Sequence, residues 1–427
     1  MANVFPFPAF RYTAKAGPIH NLVTQPYDKI PPDLQRKYYD ASPNNFVRLT
    51  KGREKPGDND ANNVYTRAAA DLEAWIRGGV LAQDAAPAFY PYFQQFKHPE
   101  SGEVLVRQGF IGLTETLPYE KKVIFGHELT HRGPKLDRLL LTRHTKSHFG
   151  QLFVLYDDPQ QAVETRLDEA AVSPPLIDVR DHEGVLHRVW KIDDPAVTAE
   201  IQGVMAGKKI LIADGHHRYE TSLAYAEENA GVPGADRVMM TFVNMRAAGL
   251  VVLATHRVLA GLGGFPAEAF RQRVEQWFDT ETFASSDELR EALDSAPAGR
   301  SAIGVSLQGA ARNYLLRGRP AALETCLPDL APEERSLDVV VLHRLLLAEA
   351  LGISDEDVRE LKNISYVRGF DAAVAEVRSG QAQIAFLLRP VDVRKVAQIS
   401  FGGGVMPQKS TDFYPKLLSG LTVYRIG

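Results

Sequence analysis

The stretch LIADGHHRYETS, residues 211–222, joins an apolar segment to a segment rich in helix-forming residues. The preceding letters KKILIA predict a buried strand, and the following YETSLAYAEENA predicts a helix that Gly231 can end. Between the two stand five consecutive residues, DGHHR, at positions 214–218. A buried strand that feeds a helix in this way is typical of an α/β protein.

The DGHHR segment predicts an anion site. A helix start directs backbone N–H groups and the positive end of the helix dipole at the preceding loop. His216, His217 and Arg218 add positive or hydrogen-bonding groups there, and Asp214 can either cap the helix or hold a divalent cation beside a bound phosphate. Because an arginine in the first helical turn opposes the dipole, stability alone explains this pattern poorly. A phosphoryl group with magnesium is the ligand that fits best.

Composition restricts the class of protein. The 427 residues suit two domains, and the net charge of −4 comes without a basic arm, so nucleic-acid binding is not expected. Cys326 is the single cysteine, which excludes an intramolecular disulfide and a thiolate zinc site. The longest apolar runs fall far short of the roughly 20 residues that cross a bilayer. These features predict a cytoplasmic protein without membrane spans.

A second polar stretch, HELTH at residues 127–131, matches the H-E-x-x-H pattern of zinc peptidases. That chemistry needs both histidines on one face of a helix, but Gly126 precedes the stretch and Gly133 with Pro134 follows it. A loop is therefore predicted, with the next helix starting at Pro134. The same region offers a second candidate anion site, made of His127, Glu128, Thr130, Lys135 and Arg138.

A third stretch, GGGVMPQKST at residues 402–411, resembles a phosphate-binding P-loop only superficially. No glycine stands directly before Lys409, and Pro415 prevents the helix that a P-loop requires. Lys409, Ser410 and Thr411 can still clamp a phosphate, while a mobile surface loop is the alternative. In QPYDKI, Asp28 is a turn aspartate of the kind that is usually structural.

Strands alternate with helices along the chain, which predicts an α/β or α+β fold. A helix is expected over residues 62–79, and strands over FVRLT (46–50) and QISF (398–401). From about residue 265 the sequence pattern changes to amphipathic helices around short strands. We therefore place a first domain at 1–260 with the DGHHR motif and a C-terminal α/β portion at 261–427. The loop 401–417 is expected to return to the site.

Six stretches in this order, QPYDKI, SPNNFVRL, HELTHRGPKLDRL, ADGHHRYETSLAY, LDVVVLHRLLL and MPQKSTDFYPKLLSGL, resemble the domain-of-unknown-function family 1015 over nearly the whole chain. The family pattern includes His127, Glu128 and Thr130 but no histidine at 131, which again disfavours zinc. At DGHHR the family is similar to the ParB/sulfiredoxin-like fold, particularly its free serine kinases. The resemblance implies such a core with large insertions, and some members resemble pyrophosphate-dependent serine kinases.

The residues and the resemblance together imply a magnesium-dependent phosphotransferase with serine or phosphoserine as one substrate and pyrophosphate or a nucleotide as the other. Asp214 would ligate Mg²⁺ together with a second carboxylate, and Glu128 or Asp28 would accept the hydroxyl proton, with no choice between them from spacing. The donor phosphates would lie among His216, His217 and Arg218, and the distal phosphate among Arg138, Lys409, Ser410 and Thr411. The alternative is a ParB-like nucleotide- or DNA-associated protein without turnover, against which the lack of a basic arm counts.

Overall fold

The computed structural model describes residues 2–128, 132–264 and 267–427, and for residues 132–134 it describes the backbone alone. The chain forms two compact units. The first contains the described residues up to Gly126, those from 132 to Val251, and Pro415–Gly427. The second contains His127 and Glu128 together with Val252–Tyr414.

In the described part of the chain, the first unit contains strands β1–β12, seven α-helices, four short 3₁₀ helices and a C-terminal strand. Its strands are Val4–Phe5, Phe10–Tyr12, Leu81–Gln83, Tyr90–Lys97, Val104–Glu115, Ile124–Phe125, Ser147–His148, Leu152–Tyr156, Ile177–Arg180, Leu186–Val189, Ile210–Asp214 and Arg237–Asn244. Its helices α1–α7 are Pro32–Ala41, Val47–Thr50, Val64–Arg77, Arg132–Thr145, Ala162–Ala171, Pro195–Met205 and His216–Glu228.

A nine-stranded mixed sheet forms the centre of the first unit. Its strands follow the order β6-β11-β8-β12-β5-β4-β10-β9, with β1 paired to β5. All five residues of β8, LFVLY, are buried, as expected for a strand covered on both faces. Strand β11 runs parallel to β6 and antiparallel to β8, so its carboxyl end lies beside that of β6. The sheet therefore places the end of the apolar run 210–213 at the start of α7.

Helix α3 shows how the sequence sets a local boundary. The Asn63 side chain accepts hydrogen bonds from the amides of Tyr65 and Thr66, and the Thr66 hydroxyl accepts one from the amide of Asn63. This reciprocal cap satisfies amides that otherwise lack partners at a helix start. Leu72 and Trp75 lie buried on one face, as the predicted stripe requires.

In the described part of the chain, the second unit contains strands β13–β20, of which β13 begins one residue before the unit, together with eight α-helices and one π-helix. Its strands are Val251–Leu253, Thr255–Leu259, Phe278–Phe283, Ala302–Leu307, Asn313–Gly318, Ile364–Arg368, Ile384–Leu387 and Asp412–Tyr414, and β21, Tyr424–Arg425, lies in the first unit. Its helices α8–α15 are Ala267–Val274, Ser286–Asp294, Pro320–Cys326, Pro332–Arg335, Asp338–Val341, Asp355–Arg359, Phe370–Arg378 and Val393–Phe401, and the π-helix is Leu342–Ala350.

Six strands of the second unit form an antiparallel sheet in the order β15-β17-β16-β19-β14-β18. Helices α9 and α14 cover it through a cluster that includes Leu289, Leu293, Phe370 and Val374. Of the helices in the described part of the chain, none combines the length and apolarity needed to span a bilayer.

The mixed α/β class predicted from the sequence is confirmed. Two short elements were predicted wrongly: FVRLT contains helix α2, and QISF is the end of helix α15. A short apolar run such as QISF is compatible with either a strand or a helix. In α15 the Asp392 side chain accepts a hydrogen bond from the amide of Arg394, and this N-terminal cap favours the helix. Helix α4 begins at Arg132, two residues before the predicted start.

The two units differ in extent from the predicted domains 1–260 and 261–427. The second unit starts at Val252, and Pro415–Gly427 belongs to the first. The physical reason is that the C-terminal residues form backbone pairs there: the amides of Phe10 and Val423 each donate to the other's carbonyl, at 3.0 and 2.9 Å.

Candidate functional site

The DGHHR segment is a strand-to-helix junction in the first unit. Asp214 ends β11, Gly215 is the cap residue with φ of 106°, and α7 begins at His216. A glycine adopts this left-handed conformation without the steric penalty of other residues. Gly215, as the cap residue, has no side chain that could bond the first-turn amides of α7.

Asp214, Arg218 and Lys416 form a charged group that we call the Asp214 cluster. The Lys416 Nζ lies 3.2 Å from Asp214 Oδ2, and Arg218 Nη2 lies 3.6 Å from Asp214 Oδ1. Burial opposes ionisation of Asp214, but the charges of Lys416, Arg218 and His216 outweigh it and hold the pKa of this carboxyl well below its usual range. The cluster therefore carries one negative and two positive charges at neutral pH.

The Arg218 guanidinium folds back over the junction. Its Nη1 donates to the carbonyl oxygen of Gln151. A Cβ atom on Gly215 would lie 3.0 Å from Arg218 Nη2, and one on Gly150 would lie 3.3 Å from Nη1. Because Gly150 and Gly215 lack side chains, the guanidinium group of Arg218 has room beside the first turn of α7.

A cleft in the first unit brings Arg218 together with Arg138, and we call it the arginine cleft. The Arg138 Nη1 donates to the Thr50 carbonyl at 2.8 Å, and its guanidinium carbon lies 4.0 Å from the centre of the Tyr27 ring. The cleft wall also includes the hydroxyl-bearing residues Thr50, Thr142, Ser147, Thr221, Ser222 and Ser419. The two guanidinium groups suit a phosphate or another multivalent anion.

The other predicted residues of the first unit occupy different surroundings. Asp28 is exposed in the 3₁₀ turn Tyr27–Lys29, and Lys135 forms an ion pair with Glu220. His216 is 7% exposed, and a Cβ on Gly126 would lie 3.1 Å from its Cδ2, whereas His217 is half-buried. His217 is therefore more accessible to a ligand than His216.

The predicted residues at 127–128 belong to the second unit. His127 is fully buried, and its Nε2 lies 2.9 Å from the Thr411 hydroxyl oxygen. Its carbonyl accepts a hydrogen bond from the Met406 amide at 2.8 Å, and its ring lies 3.7 Å from a Glu128 carboxylate oxygen. The predicted Thr130, like His131, lies outside the described residues.

Arg257 of strand β14 holds the QKST loop. It is buried, and its Nη2 donates to the carbonyl oxygens of Gln408 and Lys409, both at 3.0 Å. The Ser410 hydroxyl donates to the Pro407 carbonyl, while Lys409 is exposed with φ of 56°. These bonds fix the loop backbone and present the Lys409 side chain to solvent. The structure thus brings Thr411 together with His127, inside the second unit.

The residues around Asp214 do not fit a magnesium ion held by the protein. Magnesium is held in proteins by one or two carboxylates that face it directly, and water and substrate phosphates complete its octahedral geometry. Both carboxylate oxygens of Asp214 already face a cation, Lys416 or Arg218. Within the residues that the structure describes, no group of three or more His, Cys, Asp or Glu side chains could hold a metal ion.

Sequence reasoning missed Lys416 and the two residues that hold its backbone. Arg107 Nη2 donates to the carbonyl of Pro415 at 2.5 Å, and Gln94 Nε2 donates to that of Lys416 at 2.9 Å. Position 416 follows the QKST stretch, but no local pattern indicates that its side chain reaches Asp214. Only tertiary packing reveals this contact.

The buried side chain of His148, in the wall of the arginine cleft, is expected to make the stability of the protein depend on pH. Burial lowers the pKa of His148 from 6.5 to about 4. Between these values the unfolded chain binds a proton that the folded chain does not, so stability is lost as pH falls from 6.5 to 4. The full difference corresponds to about 3 kcal/mol. Urea unfolding at several pH values should show a shallower acid loss for His148→Gln, and equal losses in both proteins would contradict this origin.

The fold and the site define an α/β protein with a cationic cleft beside a strand-to-helix junction. The sequence model of the family described as "Protein of unknown function (DUF1015)" matches residues 4–340. The chain therefore belongs to that family, which confirms the resemblance seen in the sequence.

Solved structures similar to this chain have low sequence identity to it. A free serine kinase in complex with AMP is 11% identical, with a TM-score of 0.37 over 74% of this chain and 90% of that one. SbnI with a C-terminal truncation, from Staphylococcus aureus, is 12% identical, with a TM-score of 0.36 over 72% and 85%. A conserved hypothetical protein from Pyrococcus furiosus is 12% identical, with a TM-score of 0.34 over 70% and 89%. No curated protein matches the sequence.

Proposed function

We propose that the protein is a phosphotransferase that moves a phosphoryl group between pyrophosphate or a nucleotide and the hydroxyl of free L-serine. The observation that supports this most is the arginine cleft, where Arg138 and Arg218 approach the same space from α4 and α7. Phosphoryl transfer depends mainly on positioning and on neutralising charge around the phosphate. Two fixed guanidinium groups, one of them in the first turn of α7, supply both.

In the proposed forward reaction the serine hydroxyl oxygen attacks the distal phosphorus of the donor. The new oxygen–phosphorus bond forms as the bond to the leaving group breaks, which is phosphate from pyrophosphate and the shortened nucleotide from a nucleotide donor. The hydroxyl proton passes to a carboxylate. Arg218, Arg138 and the first-turn amides of α7 hold the donor phosphates, with His217 as a further hydrogen-bonding group. His216 supports the junction from its buried position.

Two carboxylates are proposed as alternative proton acceptors. Asp28 is exposed, whereas Glu128 is partly buried and has the His127 ring 3.7 Å away. We keep both in the proposal, together with Lys409, Ser410 and Thr411 as ligands of the distal phosphate. Glu128→Gln and Asp28→Asn distinguish the two, because removing the base lowers kcat by about 100-fold or more.

Magnesium enters the proposal as part of the donor. Pyrophosphate and nucleotides carry Mg²⁺ on their own phosphate oxygens, and such an ion retains most of its water ligands. Because the Asp214 cluster does not offer a protein-held magnesium site, no step depends on Asp214 as a metal ligand.

The test is direct detection of phosphoserine. The protein is incubated with L-serine, magnesium and, in separate samples, pyrophosphate, ADP or ATP, and the products are followed by phosphorus NMR. We expect phosphoserine with at least one donor, and the reverse reaction from phosphoserine and the leaving group of that donor, which is phosphate for pyrophosphate, AMP for ADP and ADP for ATP. No phosphoserine with any donor would overturn the proposal. Donor binding without turnover would instead favour the ParB-like binding protein.

A further inference from the structure

In the proposed function, the phosphate of the donor binds close to the negatively charged Asp214. A carboxylate beside bound phosphate repels it, and enzymes commonly place a divalent cation between the two. Here two cationic side chains of the chain itself lie beside Asp214, Lys416 at 3.2 Å and Arg218 at 3.6 Å. One negative and two positive charges leave the cluster with a net charge of +1.

Hydrogen bonds fix the backbone on both sides of Lys416. The carbonyl of Pro415 accepts from Arg107, the carbonyl of Lys416 accepts from Gln94, and the Leu418 amide donates to the hydroxyl of Tyr92 at 3.2 Å. Ser419 adds two backbone hydrogen bonds with Thr24, at 2.8 and 3.1 Å. The side chain of Lys416, with 15% of its surface exposed, is therefore presented to Asp214 from a fixed segment.

The residues that hold this segment are themselves buried and polar. Arg107 is 1% exposed, its guanidinium carbon lies 4.5 Å from the centre of the Phe153 ring, and its Nε donates to Gln94 Oε1 at 3.0 Å. Burial lowers the pKa of Arg107 to about 10, so the group remains charged at neutral pH. Burying a charge costs free energy unless hydrogen bonds compensate. The compensating bonds here are the ones that fix Pro415 and Lys416.

We propose that Lys416 supplies the positive charge that a divalent metal ion would otherwise supply beside Asp214, so that the junction binds the phosphate of the donor without a protein-held metal. A lysine ammonium is a compact point charge suited to phosphate. Arg107 and Gln94 are positioning residues that act through the backbone of Lys416. The inference rests on the proposed function in one respect: the anion is taken to be the phosphoryl donor.

The test is calorimetric titration of the whole protein with inorganic pyrophosphate, once with EDTA and once with magnesium. We expect the unaltered protein to bind pyrophosphate in EDTA, and Lys416→Met to bind it about 10-fold more weakly, as for the loss of one favourable charge contact. Lys416→Arg, which keeps the charge, should recover part of the affinity. The matched control is Lys208→Met, which removes a similar pair in the same unit, Lys208 Nζ with Asp158 Oδ1 at 3.1 Å. Its affinity should stay within about 2-fold of the unaltered protein's, since Lys208 is not in the Asp214 cluster.

Three results would overturn the inference: equal affinity of Lys416→Met and the unaltered protein, binding that requires magnesium, or no binding in either buffer. Phosphoserine formation is scored separately. If pyrophosphate binding depends on Lys416 but no phosphoserine forms, the proposed function is lost and the inference stands. If phosphoserine forms while Lys416→Met binds pyrophosphate normally, the inference is lost and the function stands.

Discussion

Replacing Arg218 with alanine is expected to lower the kcat/KM of phosphoserine formation by about 100-fold or more, the usual effect of removing one preorganised group that stabilises transition-state charge. Arg218 lines the arginine cleft, and its guanidinium is fixed by the Gln151 carbonyl and by Asp214. It is therefore already oriented before a phosphate arrives. Steady-state kinetics with the donor that supports turnover would measure the loss.

A matched control is available on helix α4. Arg143 forms an exposed ion pair with Glu228 and does not line the arginine cleft. Arg143→Ala should leave kcat/KM within about 2-fold, because exposed ion pairs contribute little even to stability. Arg218→Lys should remain strongly impaired, since lysine lacks the bidentate geometry of a guanidinium. Full activity of Arg218→Ala would remove this residue from the proposed site.

Arg107→Met is expected to lower the free energy of unfolding by about 3 kcal/mol, the scale of lost hydrogen bonds from a charged donor. The change leaves the Pro415 carbonyl and Gln94 Oε1 without this donor in a buried region. Relief from burying the guanidinium offsets part of the loss. Urea unfolding would measure the change, and pyrophosphate titration would show whether the Lys416 segment is displaced.

A double-mutant cycle with Gln94→Leu separates the hydrogen bonds from simple loss of volume. Since Gln94 no longer presents a buried acceptor in the double variant, the two changes together should cost less than their sum by about 1 kcal/mol. Strict additivity, or an Arg107→Met protein as stable as the original, would show that the network does not hold the Pro415–Lys416 segment.

The parts of the fold that were predictable from sequence are those set by local patterns. The apolar run 210–213 and the polar letters after it give the strand, the glycine junction and helix α7. The run FVRLT was predicted wrongly because its buried residues Phe46, Val47 and Leu49 suit a strand as well as the short helix that forms. Over so few residues, tertiary contacts decide the type of element.

The candidate site was predictable where its residues adjoin an element boundary. The sequence indicated Arg218 and Arg138, and the structure places both in one cleft. No local pattern in the sequence indicated the Lys416–Asp214 pair. That contact joins positions 202 residues apart and depends on buried hydrogen bonds from Arg107 and Gln94. The expectation that Asp214 ligates magnesium was made without the contacts of this carboxylate with Lys416 and Arg218, which no local sequence pattern indicates.

The most direct test of the central claim is the fate of the serine hydroxyl oxygen. L-serine labelled with ¹⁸O in its side-chain hydroxyl is incubated with the protein, magnesium and each phosphoryl donor, and phosphoserine is analysed by the isotope shift in its phosphorus NMR signal. We predict phosphoserine that retains the label in the oxygen bridging carbon and phosphorus, because that oxygen is the nucleophile. Release of orthophosphate without labelled phosphoserine, or an unchanged donor in every sample, would contradict the account.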